Sequence, residues 1–192
     1  MKRCIAFGLF TVLCTHFAFG QGEANSLKGV PFKERIITGG GLGAGFNSYQ
    51  DFISVSPEIG YQVTRKLIAG TRLTYRFTNY KDISPSIQFH DFGVGPFLRF
   101  TVFRNIFLQT EYEYLNYEDL AVPWTAAQET VRRDYSSFMA GGGFFQPIGQ
   151  KASFYIMAMY NFSYRDPKPN EYTPYTSPLI IRAGINIGNL GF

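Results

Sequence analysis

The two carboxylates whose spacing best suits acid–base chemistry are Glu111 and Glu113. Glycosidases place two acidic side chains on either side of the bond that they break, so such a pair is a candidate hydrolytic site. Here the two residues are i and i+2 in a stretch of alternating character, which puts both on the polar face of one strand. We therefore interpret them as structural counter-charges for arginines.

A histidine with serines elsewhere in the chain is a second candidate site. His90 is the only histidine after residue 20, and Ser136 and Ser137 lie in another segment. A nucleophilic serine needs a base within hydrogen-bonding reach, but the sequence has no His-x-Ser pairing. We interpret His90 as a polar surface residue and expect neither catalysis nor a metal ion there.

A glycine-rich stretch, Gly39-Gly-Gly-Leu-Gly-Ala-Gly45, is a third candidate. Dinucleotide-binding loops have similar glycines but lead into a helix, and a P-loop adds Gly-Lys-Ser/Thr. Here another strand-like segment follows, so no cofactor is expected. We predict instead a row of glycines at 39, 41, 43 and 45 that faces a lumen and leaves space for Arg182 on the neighbouring strand.

The segments that carry these residues alternate in character with period two. Leu108 and Tyr112, for example, alternate with Gln109, Glu111 and Glu113. Successive side chains of a strand face opposite sides, so this period predicts strands with one apolar face. Eight such segments are present, at residues 35–47, 52–64, 67–79, 88–103, 106–117, 135–147, 152–164 and 178–190.

The connections between the segments alternate between short and long. Tight turns are predicted at 64–66, 104–105 and 149–151, and the other connections at 48–51, 80–87, 118–134 and 166–177. This alternation is typical of an up-and-down meander, in which successive connections lie at opposite ends.

Two barrels fit eight such strands: a soluble, lipocalin-like barrel with an apolar interior and a membrane barrel with an apolar exterior. The segments match the ~9–11 residues that a tilted strand needs to cross a bilayer. Aromatic residues lie near the segment ends, as in interfacial girdles: Tyr80, Tyr117, Tyr135, Tyr164, Phe100, Phe103, Phe145 and Phe154. We predict an all-β fold, an eight-stranded antiparallel up-and-down transmembrane β-barrel.

The polar face predicts a structural charge network in the lumen of that barrel. Its members are Glu58, Arg72, Arg76, Arg99, Glu111, Glu113 and Arg182. The turn positions predict two cross-strand pairs, Glu58 with Arg72 and Arg99 with Glu111.

The N-terminus predicts secretion. Lys2 and Arg3 precede an apolar run, and Ala18 and Gly20 are small residues at a cleavage position, so residues 1–20 form a secretory signal peptide. A periplasmic leader over 21–32 and an outer-membrane barrel over 33–192 follow. Both cysteines lie within the signal peptide, so no disulfide is expected in the barrel.

Composition excludes several classes of protein. The chain has 20 Phe, 13 Tyr and 1 Trp with 17% charged residues, which is unlike a disordered chain. A formal net charge of +4 excludes a nucleic-acid binder driven by bulk charge. A mean hydropathy of −0.08 excludes a bundle of transmembrane helices.

Over about residues 33–192 the chain resembles the small outer-membrane β-barrels of Gram-negative bacteria, the OmpA/OmpX type with eight strands. The resemblance rests on Ser56-Pro-Glu-Ile-Gly-Tyr61, Phe92-Gly-Val-Gly-Pro-Phe-Leu-Arg99, Ile181-Arg-Ala-Gly-Ile-Asn-Ile187 and the terminal Phe192. It implies a location in the cell outer membrane, contact with lipid and lipopolysaccharide, and delivery to the barrel-assembly machinery through Phe192.

We expect a monomer without enzyme activity or nucleic-acid partner, with a structural or surface-interaction role. An eight-stranded lumen holds little more than its own side chains, so the charge network is expected to plug it. The loops that carry Trp124 and Tyr175 would either bind a partner or rest against lipopolysaccharide. The alternatives are an accessory barrel of a secretion or envelope-assembly complex, a narrow gated channel, and a lipid A-modifying enzyme that uses His90.

Overall fold

The computed structural model describes residues 26–46, 50–80, 87–120, 130–165, 174–175 and 177–188. The predicted signal peptide, Trp124 and Phe192 lie outside these residues. The end of the leader forms a short 3-10 helix, Phe32–Arg35. Arg35 donates from Nη2 to the Leu27 carbonyl at 2.5 Å and from Nη1 to the Tyr61 hydroxyl at 3.3 Å. Within the described ranges no helix is long and apolar enough to cross a membrane.

Eight strands make up nearly all of the rest. They are β1 (Ile36–Phe46), β2 (Gln50–Gln62), β3 (Leu67–Tyr80), β4 (Ile87–Phe103), β5 (Ile106–Leu120), β6 (Thr130–Pro147), β7 (Ala152–Asn161) and β8 (Leu179–Ile187).

The strands form one closed barrel in sequence order, and β8 pairs back with β1. Every neighbouring pair is antiparallel. The predicted closed, eight-stranded up-and-down barrel is therefore confirmed. We call the end with the short connections 63–66, 104–105 and 148–151 the turn end, and the opposite end the loop end.

The hairpin of β5 and β6 is longer than the sequence predicted. The connection was expected to occupy residues 118–134, but pairing continues from Asn116 opposite Asp134 to Leu120 opposite Thr130. Arg132 and Arg133 on one strand form ion pairs with Glu118 and Asp119 on the other, at 2.9 and 2.7 Å. Charged residues that the sequence analysis placed in a connection are therefore cross-strand partners. Pairs of opposite charge of this kind stabilise an antiparallel pair of strands.

The closure between β1 and β8 is short. It runs from Thr38 opposite Ile187 to Leu42 opposite Ala183. Towards the loop end, no pairing joins the described residues 43–46 to 179–182. Both stretches remain strands because β2 and β7 pair with their other edges.

The barrel is polar inside and apolar outside. Arg72 and Arg99 are 1% exposed, whereas Leu73 and Leu98, which follow or precede them in the chain, are 55% and 53% exposed. The strand alternation thus turns charge inward and aliphatic side chains outward, the reverse of a soluble barrel.

The turn-end part of the lumen also contains apolar side chains. Phe107, Phe145, Tyr155 and Met157 are buried in one cluster there. The prediction that Phe145 belongs to an outer aromatic girdle is wrong, and Tyr117 is buried as well. Their strand positions face inward, whereas Phe103 and Phe154 are exposed on the outside.

Candidate functional site

All seven charged residues expected in the lumen occupy inward-facing strand positions. Glu58, Arg72, Arg99, Glu111 and Glu113 are buried. The side chains of Arg76 and Arg182 keep 13% and 16% exposure because they lie nearer the loop end. Sequence alternation alone was enough to place each of them.

The predicted pairing of Glu58 with Arg72 is confirmed. They lie opposite each other on β2 and β3, and Arg72 Nη2 donates to Glu58 Oε2 at 2.6 Å. Arg99 Nη2 donates to the other oxygen, Oε1, at 3.1 Å. One buried carboxylate therefore serves two arginines.

The predicted pairing of Arg99 with Glu111 is wrong. Arg99 lies opposite Gln109 and donates to its Oε1 at 2.7 Å. The two-residue turn at 104–105 pairs Phe103 with Ile106, and Val102 is an extra residue before Thr101 pairs with Phe107. The alternation requires a shift of one residue here, because a regular two-residue turn would put inward-facing Arg99 opposite outward-facing Thr110. It does not distinguish Gln109 from Glu111 as the partner of Arg99, and the bulge selects Gln109.

Glu111 instead joins two other arginines. Arg182 Nη1 donates to its Oε1 at 2.8 Å, and Arg72 Nη1 lies 3.3 Å from its Oε2. Gln109 Nε2 donates to the same Oε2 at 2.9 Å. Glu58, Arg72, Glu111 and Arg182 thus form a continuous chain of ion pairs across the lumen.

Arg99 lies among aromatic rings at the turn end. Its guanidinium carbon is 5.0 Å from the ring centre of Phe97, 5.2 Å from Phe107, 5.7 Å from Phe145 and 5.3 Å from Tyr155. We call these four rings the aromatic cage. A guanidinium is weakly hydrated and is attracted to ring faces, so this environment suits arginine better than lysine.

Arg76 has a partner that the sequence analysis missed. Its Nε and Nη2 donate to Asp91 Oδ2 at 2.9 and 2.8 Å. Asp91 is fully buried. It lies eight residues before Arg99 on the same strand, so the same period-two alternation would have revealed it.

The connection after β7 reaches into the loop end of the lumen. The Pro174 carbonyl accepts from Arg76 Nη1 at 2.6 Å, and the Tyr175 hydroxyl donates to Glu113 Oε2. Burial and the Glu113 carboxylate raise the pKa of Tyr175, which keeps its hydroxyl a donor. Tyr175 therefore contacts the lumen rather than an external surface, and no signal in the sequence indicated this.

The glycine row does face the lumen, but its space serves a different residue. A Cβ on Gly41 would lie 3.3 Å from the Tyr155 hydroxyl, and one on Gly184 would lie 2.7 Å from it. A Cβ on Gly39 would meet Asn186 Oδ1 at 2.9 Å. The expectation that the row accommodates Arg182 is corrected, because that side chain crosses to Glu111 while Tyr155 from β7 fills the gap.

A cavity of about 300 Å³ remains in the loop-end half of the lumen. Three arginines of the network, Arg72, Arg76 and Arg182, line it. Hydroxyl groups of Ser54 and Thr74 are also in its wall. The cavity therefore places this part of the charge network next to open space.

The candidate His–Ser site is not assembled. His90 lies beside Glu118 of β5, whose side chain accepts a hydrogen bond from the His90 backbone amide at 2.8 Å. Ser136 lies opposite a different residue of β5, Tyr114. The His90 ring contacts Tyr75, whose hydroxyl is 3.0 Å from Nδ1. Among the described residues no group of His, Cys, Asp or Glu is arranged to hold a metal ion.

Comparisons with known proteins were made for both the sequence and the fold. No family model matches the sequence, and no curated protein matches it. A solved structure that it resembles is the N-terminal β-barrel domain of Pseudomonas aeruginosa OprF. The TM-score is 0.44 at 9% identity, and the match covers 80% of this chain and 97% of that one.

Proposed function

We propose that the protein is an integral barrel of the bacterial outer membrane with a structural or surface-interaction role. The observation that carries this proposal is the inverted arrangement of the barrel. Aliphatic side chains such as Leu73, Leu98 and Leu108 are more than half exposed, while Arg72 and Arg99 are buried. A lipid environment accounts for such an exterior, since a closed barrel also leaves its backbone groups satisfied within hydrocarbon.

The charged lumen acts as a plug in this proposal. Glu58, Arg72, Glu111 and Arg182 are ion-paired across the lumen, and the aromatic cage fills the turn end around Arg99. Opening a path for ions would separate buried pairs, which costs several kcal/mol for each charge left without its partner. A non-conducting barrel is therefore favoured over the narrow gated channel.

The β5–β6 hairpin supports the surface-interaction part of the role. It extends beyond β7, whose pairing with β6 ends at Asn161 opposite Met139, and it carries ion-paired charges on both strands. A rigid scaffold that presents a projecting hairpin is a common way to place a recognition surface. An accessory role within a secretion or envelope-assembly complex would use the same surface, and co-purification in mild detergent distinguishes the two.

The remaining partners follow from the same proposal. The barrel belongs to the OmpA/OmpX-type group, contacts lipid and lipopolysaccharide, and functions as a monomer without a nucleic-acid partner or a catalytic activity. Its C-terminal Phe192 is the signal for the barrel-assembly machinery, and residues 1–20 are removed on export.

Membrane fractionation and surface labelling test the proposal. We expect the mature chain in the outer-membrane fraction, and a tag inserted at Gln128 or Asn170, on the loop side, to be labelled on intact cells. A tag at Gln150, in a turn between β6 and β7, should be labelled only after permeabilisation. Recovery of the chain as a soluble protein would contradict the membrane location, and the reverse labelling pattern would contradict the topology.

A further inference from the structure

The barrel wall is incomplete beside the lumen cavity. Strands β1 and β8 stop pairing after Leu42 and Ala183, although both continue towards the loop end. We call the gap between residues 43–46 and 179–182 the seam. By contrast, β3 and β4 pair without interruption from Leu67 opposite Phe100 to Tyr80 opposite Ile87.

Two further observations show that the strands separate at the seam. A Cβ built on Gly41 would lie 2.8 Å from the Ala183 carbonyl of β8, but one on Gly43 meets nothing except Ser54 of β2 within 4 Å. Leu42 and Ile181, at the edges of the gap, are the two most exposed large apolar side chains of the described residues, at 74% and 68%.

The cavity reaches the seam from the inside. Its lining combines inward residues such as Ser54 with residues of the outer face, among them Leu42, Ala44 and Ile181. Because the lining includes residues of both faces beside the unpaired strands, we infer that the cavity opens through the wall at the seam. The space next to the arginines is therefore continuous with the apolar exterior.

The inner end of this passage is lined by arginines that are ion-paired on their other side. Arg72, Arg76 and Arg182 line it, and no carboxylate is present among the described lining residues. Guanidinium groups form charge-assisted hydrogen bonds with phosphate and carboxylate oxygens, so an anion in the cavity would be stabilised beside these arginines.

We propose that the cavity and the seam together form a binding site for an anionic amphiphile. Its phosphate or carboxylate headgroup lies against Arg72, Arg76 and Arg182, and its hydrocarbon chain leaves between Leu42 and Ile181. In hydrocarbon an open strand edge is tolerated where it lines a wet cavity, and the unpaired edges of β1 and β8 border this cavity. This inference rests on the proposed membrane location, because the chain must leave into an apolar surrounding.

Binding of defined probes to the purified, folded barrel in non-ionic detergent tests the site. Native mass spectrometry and calorimetry would compare dodecyl phosphate, inorganic phosphate and dodecyl maltoside. We expect dodecyl phosphate to bind at one site, with an affinity about tenfold or more above either of the others, because a charge-assisted contact and an apolar contact act together.

A side chain that fills the cavity should weaken the binding of dodecyl phosphate. Ser54→Leu adds an aliphatic side chain to the wall of the cavity, whereas the matched control Ser136→Leu adds the same group to an exposed position of β6. We expect dodecyl phosphate affinity to fall about tenfold or more in Ser54→Leu and to be unchanged in the control.

Any of the following results would contradict the proposed binding site. Equal affinity for inorganic phosphate would mean that a free anion is the ligand and the seam plays no part. Equal affinity for dodecyl maltoside would mean non-specific apolar adsorption, and no binding by folded barrel would remove the proposal. Fractionation reports separately on membrane location, so failure of that proposal is distinguished from failure of this one.

Discussion

The two halves of the lumen hold arginine in different ways. At the turn end, Arg99 is enclosed by the aromatic cage and donates to Glu58 and Gln109. At the loop end, Arg72, Arg76 and Arg182 each have a carboxylate on one side and a cavity of about 300 Å³ on the other. The turn end is therefore filled by packed side chains, whereas the loop end has a cavity beside its charged groups.

The largest contrast is expected between two carboxylates. Glu58→Gln removes the partner of both Arg72 and Arg99 and should lower the free energy of unfolding by about 3–5 kcal/mol. Glu113→Gln keeps one carbonyl oxygen as an acceptor for Thr74 or Tyr175. The nearest arginine atom, Arg182 Nη2, is 3.9 Å from Glu113, so the cost should be about 1 kcal/mol. Urea unfolding of both variants in the same lipid or detergent measures the difference.

A double-mutant cycle serves as the control for that contrast. Glu58→Gln combined with Arg72→Met should cost less than the sum of the two single variants, since the first loss has already broken the pair. Simple additivity, or equal costs for Glu58→Gln and Glu113→Gln, would show that the turn-end pairing is not what stabilises the barrel.

Alanine substitutions at two glycines compare the packing of the turn-end and loop-end halves of the lumen. A Cβ on Gly143 would meet the Ile156 carbonyl, Met157 Cβ at 2.6 Å and Phe107 Cζ at 2.6 Å, so Gly143→Ala should cost about 1–3 kcal/mol. A Cβ on Gly43 meets only the Ser54 hydroxyl, at 2.5 Å, which is free to rotate towards the cavity. Gly43→Ala should therefore unfold at nearly the parental urea concentration, and a matching loss in both variants would contradict the contrast.

Removing one hydroxyl tests the closure of the loop end. Tyr175→Phe deletes the donor to Glu113 but keeps the ring near Arg76, whose guanidinium carbon is 5.6 Å from the ring centre. We expect a loss of about 1 kcal/mol in unfolding free energy and faster proteolysis of the β7–β8 connection. Unchanged proteolysis would mean that this hydrogen bond does not hold the segment in the lumen.

The smallest effect is expected outside the lumen. Arg133 pairs with Asp119 at 2.7 Å, but its side chain is 55% exposed. Arg133→Gln should change the unfolding free energy by about 0–1 kcal/mol, because exposed ion pairs contribute little. A loss as large as that of Glu58→Gln would remove the distinction between lumen and surface charges.

The sequence was most informative where alternation continues without interruption. Period two is a local property, so it placed Glu58, Arg72 and Arg99 on the inner face, and the position of the turn at 64–66 then set the register of β2 against β3. It failed at β4 and β5, where the extra residue Val102 shifts the partners of Arg99.

Other features depend on the closed three-dimensional wall and on loop conformation. The entry of Tyr175 into the lumen and the early end of pairing at Leu42 leave no periodic signal in the chain. Tyr155 fills the space beside Gly41 and Gly184 that was predicted for Arg182. This outcome depends on the sizes of side chains from different strands. Such contacts become visible when the barrel closes, because strand neighbours at closure are far apart in sequence.

The central claim is that the side chains close the lumen, and ion conductance tests it most directly. Purified barrel inserted into a planar lipid bilayer should show no stepwise conductance, because the aromatic cage and the ion pairs from Glu58 to Arg182 leave no continuous water path. Membrane insertion of the same preparation would be checked by protease protection after reconstitution into lipid vesicles. Stable, ohmic conductance steps from the folded parental protein would contradict the account.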